Sequence, residues 1–340
     1  MIVTAREALA AADAADGPAP PLYGIKGAQA RTLAPGENGA SQISGYNHSL
    51  VRVDPEKPFP VVMHMGGQNL VHPSGLRGLS AGEYKAAMSF PSKFSFRCGW
   101  TRMTRLVGNC VPPLLAAAVG ARANREAGMK LEILGATYKE RLDNAWSMAK
   151  APRQHDAPTV VSTFAGCGGS SLGYAIAGYR EVLAVEWDKV ACETFRANFP
   201  EVPVFEGDIA KLTVERALEM TGLKPGELDV LDGSPPCQGF SSAGKRVMDD
   251  PRNSLFREYV RLLRGLKPKA FVMENVAGMV KGKMKLVFVD ILKELKASGY
   301  RVRAKVLNAM WYGVPQSRER MIFIGIREDL NREPVHPDPS

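Results

Sequence analysis

The sequence contains few cysteines, and no two of them stand in a metal-binding pattern. Its 340 residues include five cysteines, Cys98, Cys110, Cys167, Cys192 and Cys237, without a Cys-x-x-Cys pair. This odd and scattered set argues against a disulfide framework and favours a reducing compartment. No histidine stands at ligand spacing from these cysteines, so we expect no structural zinc and no other metal.

Long, continuously apolar stretches are also missing. The uncharged and mostly apolar run at residues 106–121 has 16 residues and contains Pro112 and Pro113, whereas a membrane span needs about 18 apolar residues or more. The alanine-rich start of the chain carries charges such as Arg6 and Glu7, so it lacks the uncharged centre of a secretory signal. We therefore expect a cytoplasmic protein without a membrane partner.

Positive charge is concentrated in two segments of a chain whose formal net charge is +9. Residues 77–130 hold 9 basic and 2 acidic side chains, and residues 239–305 hold 16 basic and 6 acidic ones. Residues 1–74 are close to neutral, with 5 basic and 6 acidic side chains. A polyanion such as nucleic acid is therefore an expected partner, and a solvated basic surface is the alternative.

From residue 158 onward, short apolar strands alternate with helical segments. Runs such as "TVVSTFA", "LDVLDG" and "AFVMEN" are separated by helices that we predict at residues 189–198, 253–266 and 284–297. This alternation predicts a doubly wound, mainly parallel α/β sheet of seven strands, with function at the carboxyl ends of the strands. The Pro- and Gly-rich first 75 residues predict a small, loop-rich lobe.

A glycine-rich segment, "FAGCGGSSLG" at residues 164–173, ends the first of these strands and opens the first helix. Its glycines let the backbone approach a ligand closely and leave helix N–H groups available. Glu186 closes the second strand about 20 residues later, which is the usual place for a carboxylate that binds ribose. Asp208, after the third strand, can reach an adenine edge. These features indicate an adenosine-containing cofactor, with NAD and S-adenosylmethionine both open, and a tight strand–helix turn is the alternative.

A single cysteine occupies the loop after the fourth strand, in "DGSPPCQGFSS" at residues 232–242. A lone cysteine is more often a small buried hydrophobic residue than a nucleophile. Here Pro235 and Pro236 restrict the backbone before Cys237, and the loop position favours a reactive thiolate near cations. The cations that follow are Lys245, Arg246 and Arg252.

Two further motifs end at the same edge of the predicted sheet. Glu274 finishes the fifth strand, either as a structural cap or as a proton donor whose pKa is raised by burial. In "GVPQSRER", residues 313–320, Arg318 and Arg320 alternate before the last strand. They form either a solvated pair at the edge of the sheet or, beside a carboxylate, a site that holds a planar base through its carbonyl oxygen.

Taken together, the motifs resemble those of the cytosine-5 DNA methyltransferases. The resemblance rests on "FAGCGGSSLG", "EW", "GDI", "GSPPCQGFS", "ENV", "GVPQSRER" and "GNCVPPLLA". In the common family order "GNCVPPLLA" comes last, whereas here residues 108–116 precede the glycine-rich motif. The order therefore resembles a circular permutation. Ala86 and Met88 stand where the family usually has Arg and Gln.

The resemblance implies a role for each chemical residue. Cys237 is expected to add to carbon 6 of a flipped-out cytosine, so that carbon 5 can accept a methyl group from S-adenosyl-L-methionine. Glu274 is expected to contact the ring nitrogen and the exocyclic amine, and Arg320, helped by Arg318, to hold the base oxygen. Cofactor contacts are implied at Phe164, Ala165, Gly166, Cys167, Gly168, Gly169, Glu186, Trp187, Asp208, Ile209, Pro235, Asn109 and Val111. DNA contacts are expected at Gln238, Ser241, Ser242, Lys245, Arg246, Arg252 and Gln316.

The expected organisation follows from the same resemblance. We predict a target-recognition domain at residues 1–97, a helix completing the catalytic domain at 98–130, a permutation linker at 131–157, the catalytic domain at 158–330 and a tail at 331–340. We expect a monomer acting on double-stranded DNA at the nucleoid, with a cognate restriction endonuclease as a candidate partner. A tRNA cytosine-5 methyltransferase and an inactive DNA-binding homologue remain alternatives.

Overall fold

Helices and strands follow the alternation predicted from the sequence. The computed structural model describes residues 2–12, 38–43, 46–62, 70–75, 77–123, 132–236, 254–280 and 284–339, with the backbone alone at 38–43 and 46–50. The strands are β1 (Asn38–Ile43), β2 (Tyr46–Arg52), β3 (Leu70–Val71), β4 (Thr159–Thr163), β5 (Arg180–Glu186), β6 (Val204–Glu206), β7 (Val230–Gly233), β8 (Ala270–Val276), β9 (Tyr300–Asn308) and β10 (Glu319–Arg327). The helices are α1 (Ala5–Ala11), α2 (Ala81–Ala87), α3 (Trp100–Asn109), α4 (Pro113–Ala123), α5 (Tyr138–Lys150), α6 (Gly169–Ile176), α7 (Lys189–Asn198), α8 (Val214–Thr221), α9 (Ser254–Leu266) and α10 (Met284–Ala297).

Seven strands form one sheet in the order β6-β5-β4-β7-β8-β10-β9. The pairs among β4 to β8 are parallel, and β10 is antiparallel to both β8 and β9. The chain order reverses between β4 and β7, where open α/β sheets bind ligands beyond the carboxyl ends of their strands. The predicted doubly wound, mainly parallel sheet of seven strands is confirmed.

Alternate strand residues build hydrophobic cores on the two faces of this sheet. Val160 of β4 packs in the cluster that includes α4, α5 and α6, whereas Val161 packs with α8, α9 and α10. Successive side chains of a strand point to opposite faces, so a strand covered on both sides is apolar throughout. All five residues of β4 are buried, which is why "TVVSTFA" reads as one continuous strand in the sequence.

The N-terminal lobe contains a second, smaller sheet. β1 and β2 are antiparallel, and β3 is parallel to β2. The lobe is joined to the seven-stranded sheet at Phe59, whose N–H donates to the Pro315 carbonyl at 2.8 Å and whose carbonyl accepts from the Ser317 N–H at 2.9 Å. This bridge attaches the lobe directly to the "GVPQSRER" segment.

Helices α3 and α4 are separated by the short link Cys110–Val111–Pro112. The segment Trp100–Ala123 is long and apolar enough to pass a test for a membrane span, but 67% of its apolar window is buried inside the fold. Nine of the eleven residues of α4 are buried, and α4 packs mainly against α6. The apolar character of this segment therefore comes from its place in the core.

The segment predicted as a permutation linker, residues 131–157, contains helix α5. Thr137 and Glu140 form a capping box at its start, and Tyr138, Leu142 and Ala145 are buried. The Tyr138 hydroxyl donates to the Ala86 carbonyl at 3.0 Å. This segment is thus a packed part of the core as well as a connection.

Candidate active site

A cavity of about 610 Å³ lies at the carboxyl ends of the parallel strands. Its walls come from the segments that follow β4, β5, β7 and β8, from the start of β10, and from the end of α3. Val61 and Val62, which lie between β2 and β3 in the chain, close one side of the cavity. The fold therefore brings the separate sequence motifs to one place, as predicted for a switch point in chain order.

The glycine-rich loop forms one side of this cavity, where the sequence predicts the cofactor. Gly166 has a φ of 56°, and an added Cβ there would meet no atom within 4 Å. Gly169 has no such space, because an added Cβ would lie 2.6 Å from the Val111 carbonyl oxygen. Glycine is thus favoured at Gly166 by the backbone conformation, and required at Gly169 by the close approach of the α3–α4 link.

Glu186 and Trp187, at the end of β5, lie beside this loop. The Glu186 Oε2 accepts from the Gly166 N–H at 2.8 Å, and Oε1 accepts from the Trp187 and Asp188 N–H groups, each at 2.8 Å. Burial raises the pKa of Glu186, although these backbone donors act against that shift. Trp187 is 78% exposed and lines the cavity, so its indole face is available to a planar ligand.

The predicted cofactor residues divide into two groups. Those that line the cavity are Asn109, Val111, Phe164, Ala165, Gly166, Gly169, Glu186, Trp187 and Pro235. Those that do not line it are Cys167, Gly168, Asp208 and Ile209. Cys167 is buried, and a hydrogen bond with the Cys110 side chain, together with burial, raises the pKa of its thiol. Asp208 accepts from the Ala210 N–H at 3.0 Å and caps a short 3₁₀ helix.

Glu274 and Arg320 form an ion pair at the side of the cavity that β8 and β10 border. Their Oε1 and Nε atoms are 2.8 Å apart, and the two side chains are only 14% and 16% exposed. Arg320 stands opposite Val276 in the antiparallel pairing of β10 with β8, so Glu274 is its diagonal neighbour on the same face. The predicted meeting of these two motifs is present in the structure.

Arg318 takes a different position from the one expected of a catalytic residue. Its side chain is 1% exposed, and it donates to the carbonyls of Val62 (3.2 Å), Gly108 (2.8 Å) and Cys110 (3.2 Å). Burial lowers the pKa of Arg318 to about 10. Arg318 lines the cavity, but its guanidinium is engaged by three backbone segments, so this position favours a positioning role over contact with substrate.

Gln316 is a correction to the predicted DNA contacts. The side chain is fully buried. It accepts from the Val62 N–H at 3.3 Å and donates to the Ala87 carbonyl at 3.3 Å and to the Met88 Sδ at 3.0 Å. A side chain enclosed in this way cannot reach DNA directly. Met88, one of the two departures from the family pattern, is therefore a partner of the "GVPQSRER" motif.

The remaining predicted residues lie outside the described part of the chain. They are Cys237, Gln238, Ser241, Ser242, Lys245, Arg246 and Arg252. Pro235 and Pro236, directly before Cys237 in sequence, line the cavity. The Asn275 Nδ2 donates to the Pro235 carbonyl at 3.1 Å and so ties this loop to β8.

Several cavity residues were not predicted from the sequence, among them Arg102, Arg105, Ser170, Asp188 and Asn275. A helical spacing would have indicated two of them, because Arg102, Arg105 and Asn109 lie three and four residues apart on one face of α3. In the residues that the structure describes, no group of three or more His, Cys, Asp or Glu side chains could hold a metal ion.

The chain matches the family model of the C-5 cytosine-specific DNA methylases over residues 30–125 and 159–339. It is 43% identical over 190 residues to the type II methyltransferase M.AquIA of a Picosynechococcus species, a match that covers 53% of this chain and 76% of that protein. It is 43% identical over 185 residues to M1.HphI of Haemophilus parahaemolyticus, covering 54% and 49% of the two chains. It is 44% identical over 190 residues to M.DdeI of Desulfomicrobium norvegicum, covering 52% and 43%. The chain thus spans about half the length of two of these three relatives.

The family model covers more than half of the chain and includes both the cavity segments and the small lobe. The predicted family is therefore confirmed. This chain belongs to the C-5 cytosine-specific DNA methylase family.

Proposed function

We propose that this protein is a DNA (cytosine-5-)-methyltransferase that uses S-adenosyl-L-methionine. The observation that carries the proposal is the Glu274–Arg320 ion pair, which borders the same cavity as the glycine-rich loop and Trp187. One space thus offers a surface for an adenosine-containing cofactor and a paired carboxylate and guanidinium for a polar base.

The residues of this cavity fit the cofactor. The open backbone at Gly166 allows a ligand to approach closely, and the exposed Trp187 ring offers a stacking surface to adenine. Glu186 Oε2 accepts one backbone hydrogen bond and can accept a second one from a ribose hydroxyl. When bound, S-adenosyl-L-methionine supplies an electrophilic methyl group.

The chain's own residues would activate the cytosine. We infer that the Cys237 thiolate forms a bond to carbon 6, which raises the electron density at carbon 5. Glu274 contacts the ring nitrogen and exocyclic amine, and Arg320 donates to the base oxygen. Because Arg320 holds the Glu274 carboxylate at 2.8 Å, both groups are oriented before the base arrives. Loss of the carbon-5 proton and release of Cys237 restore the ring.

Double-stranded DNA is the proposed substrate, reached in the cytoplasm at the nucleoid. The segments 77–130 and 239–305 carry most of the excess positive charge, which favours binding to phosphates. We propose that the chain acts as a monomer and that a cognate restriction endonuclease is its cellular partner.

Methyl transfer from radiolabelled cofactor to duplex DNA tests this function. We expect incorporation into cytosine and a covalent adduct with DNA that contains 5-fluorocytosine, both lost in Cys237→Ala. An adduct that persists in Cys237→Ala would refute the assignment of the nucleophile. Transfer to tRNA in place of DNA would support the RNA-methylating alternative, and no transfer to either would support an inactive homologue.

We also propose that the chain is a circular permutant of the family. The proposal is supported by Arg318, late in the chain, whose guanidinium bonds the Gly108 and Cys110 carbonyls of the "GNCVPPLLA" motif. Arg122 pairs with Asp338 at 2.7 Å, so the end of α4 lies beside the C-terminal tail. A rearranged gene that places residues 131–339, with helix α5 retained, before residues 2–130 through a flexible linker should give an active enzyme. A rearranged chain that folds but transfers no methyl groups would contradict the proposal.

A further inference from the structure

A carboxyl group that no step above uses lies buried beside the cavity. Asp232, on β7, is 5% exposed. Its Oδ1 accepts from the Tyr174 hydroxyl at 3.2 Å, and the Ser170 hydroxyl and Gly233 N–H also donate to the carboxylate. Ser170 lines the cavity, so a single hydroxyl separates the Asp232 carboxylate from the cofactor side of the site.

Within the part of the chain that the structure describes, the groups that act electrostatically on Asp232 are acidic or neutral. They come from every side: Tyr174 from α6, Glu181 from β5, Tyr259 from α9 and Glu274 from β8. Burial, with a contribution from the charge of Glu274, raises the pKa of Asp232 to about 7. The carboxyl therefore gains and loses its proton close to neutral pH.

A buried carboxylate that lacks a cationic partner is costly. The proposed cofactor carries a sulfonium, an ammonium and a carboxylate at its methionine end, so this end has a net positive charge. Charges attract more strongly in a site shielded from water than in bulk solvent. A positively charged ligand in this cavity would thus supply a counter-charge that the described residues around Asp232 do not provide.

We propose, on the basis of the function proposed above, that Asp232 is a positioning residue for the cofactor. As a carboxylate, acting through the Ser170 hydroxyl, it favours the positively charged methionine end of S-adenosyl-L-methionine.

The inference has a defined pH consequence. A bound cation stabilises the carboxylate, so it lowers the pKa of Asp232 and the protein releases a proton when the cofactor binds. Affinity should therefore be lowest at acidic pH, rise through the neutral range, and level off above the pKa of the free protein. A difference of about one pKa unit between the free and bound states corresponds to roughly a tenfold change in affinity.

Glu181 of β5, which is bonded from the same helix α6, provides a matched control. Its Oε1 accepts from the Ser171 hydroxyl at 3.0 Å, and burial raises the pKa of Glu181 to about 8. Ser171 is fully buried and does not line the cavity. Two neighbouring serines of α6 thus bond two buried carboxyls, and only the Ser170–Asp232 pair borders the cofactor side.

Isothermal titration of the full chain with S-adenosyl-L-methionine between pH 5.5 and 8.5 tests the inference. For the wild type we expect roughly tenfold tighter binding at the alkaline end, with release of about half a proton at pH 7, measured in two buffers of different ionisation enthalpy. In Asp232→Asn, the pH dependence of the affinity and the proton release should fall to the part that comes from titration of the cofactor's own amine. Ser170→Ala removes a donor to the Asp232 carboxylate, so the pH midpoint of the rise in cofactor affinity should move upward in this variant.

Ser171→Ala should leave the wild-type pH profile in place, and Glu181→Gln, which removes a neighbouring acid, should only move the midpoint slightly downward. A parallel titration with S-adenosylhomocysteine, which lacks the sulfonium but keeps the ammonium, tells which of the two charges Asp232 favours. The inference is overturned if Asp232→Asn binds with the wild-type pH profile and proton release. If Asp232→Asn binds the cofactor with an unchanged pH profile, the proposed function still stands. If the wild type binds no cofactor at any pH, the proposed function and the inference are both overturned.

Discussion

The two edges of the central sheet each carry an ion pair between neighbouring strands, and the two pairs differ in their surroundings. At the amino edge, Asp229 pairs with Lys269 at 2.8 Å beside a cavity of only about 40 Å³. At the carboxyl edge, Glu274 pairs with Arg320 at the same distance beside a cavity of about 610 Å³. The distance between the charges therefore does not distinguish them.

The difference lies in what else each carboxylate binds. Asp229 also accepts from the N–H (2.7 Å) and hydroxyl (3.0 Å) of Thr159 at the start of β4, so it completes the hydrogen bonds of the strand ends. Glu274 borders open space instead. We conclude that the Asp229–Lys269 ion pair at the amino edge serves stability, whereas the Glu274–Arg320 ion pair at the carboxyl edge is available for chemistry.

The largest expected effect comes from Arg320→Ala. Removing this donor should lower kcat by roughly 10²–10³-fold, as for the loss of one preorganised donor to a developing charge. The free energy of unfolding should fall by only about 1–2 kcal/mol. Steady-state methylation kinetics and urea unfolding measure the two quantities, with Arg320→Lys as a control that keeps the charge but not the forked geometry. An unchanged kcat would remove the contrast between the two edges.

Arg318→Ala tests an exception to that contrast, because Arg318 lies at the carboxyl edge but is buried. The substitution leaves the carbonyls of Val62, Gly108 and Cys110 without this donor. We expect the free energy of unfolding to fall by roughly 2–4 kcal/mol, measured by urea denaturation. If Arg318→Ala instead abolished methyl transfer at unchanged stability, Arg318 would contact the substrate, as the sequence predicted.

Trp187→Ala should weaken cofactor binding without a change in stability. Loss of a stacked aromatic costs about 1–3 kcal/mol per base, which corresponds to roughly 5- to 150-fold in Kd. Because Trp187 is 78% exposed, the thermal midpoint should stay the same. Calorimetric titration gives the Kd, and Trp187→Phe should retain most of the affinity. Equal affinity in Trp187→Ala would place adenine elsewhere in the cavity.

The smallest effect is expected from Asp229→Asn at the amino edge. The amide can accept from Thr159 but no longer carries the charge that pairs with Lys269, so the free energy of unfolding should fall by about 1 kcal/mol. The kcat and the cofactor Kd should both match the wild type. A loss of methyl transfer here, with the protein still folded, would show that the two edges are not functionally distinct.

Much of this arrangement is predictable from the sequence because it depends on local patterns. Continuous apolar runs mark strands covered on both faces, and the predicted helices at 189–198, 253–266 and 284–297 are observed at Lys189–Asn198, Ser254–Leu266 and Met284–Ala297. Chain reversal between parallel strands places their ends together, so Glu274 and the glycine-rich loop could be assigned to one edge.

Other assignments could not be made from local patterns. Arg318 and Gln316 are polar residues at alternating positions with Arg320, which in isolation suggests one exposed face. The structure buries both because the N-terminal lobe closes over them at Val62 and Met88. Asp232 likewise reads as part of a loop motif, and only the packing of α6 against β7 places Ser170 and Tyr174 on its carboxyl group.

By itself, the sequence determined the order of strands and helices, the family, and the set of motifs that meet at the carboxyl edge, because these depend on periodicity and on residue types that chemistry requires. The tertiary structure alone decided which polar side chains border the cavity and which are enclosed behind it. Burial depends on contacts between segments distant in the chain, such as residue 62 with residue 318, and no local pattern records them.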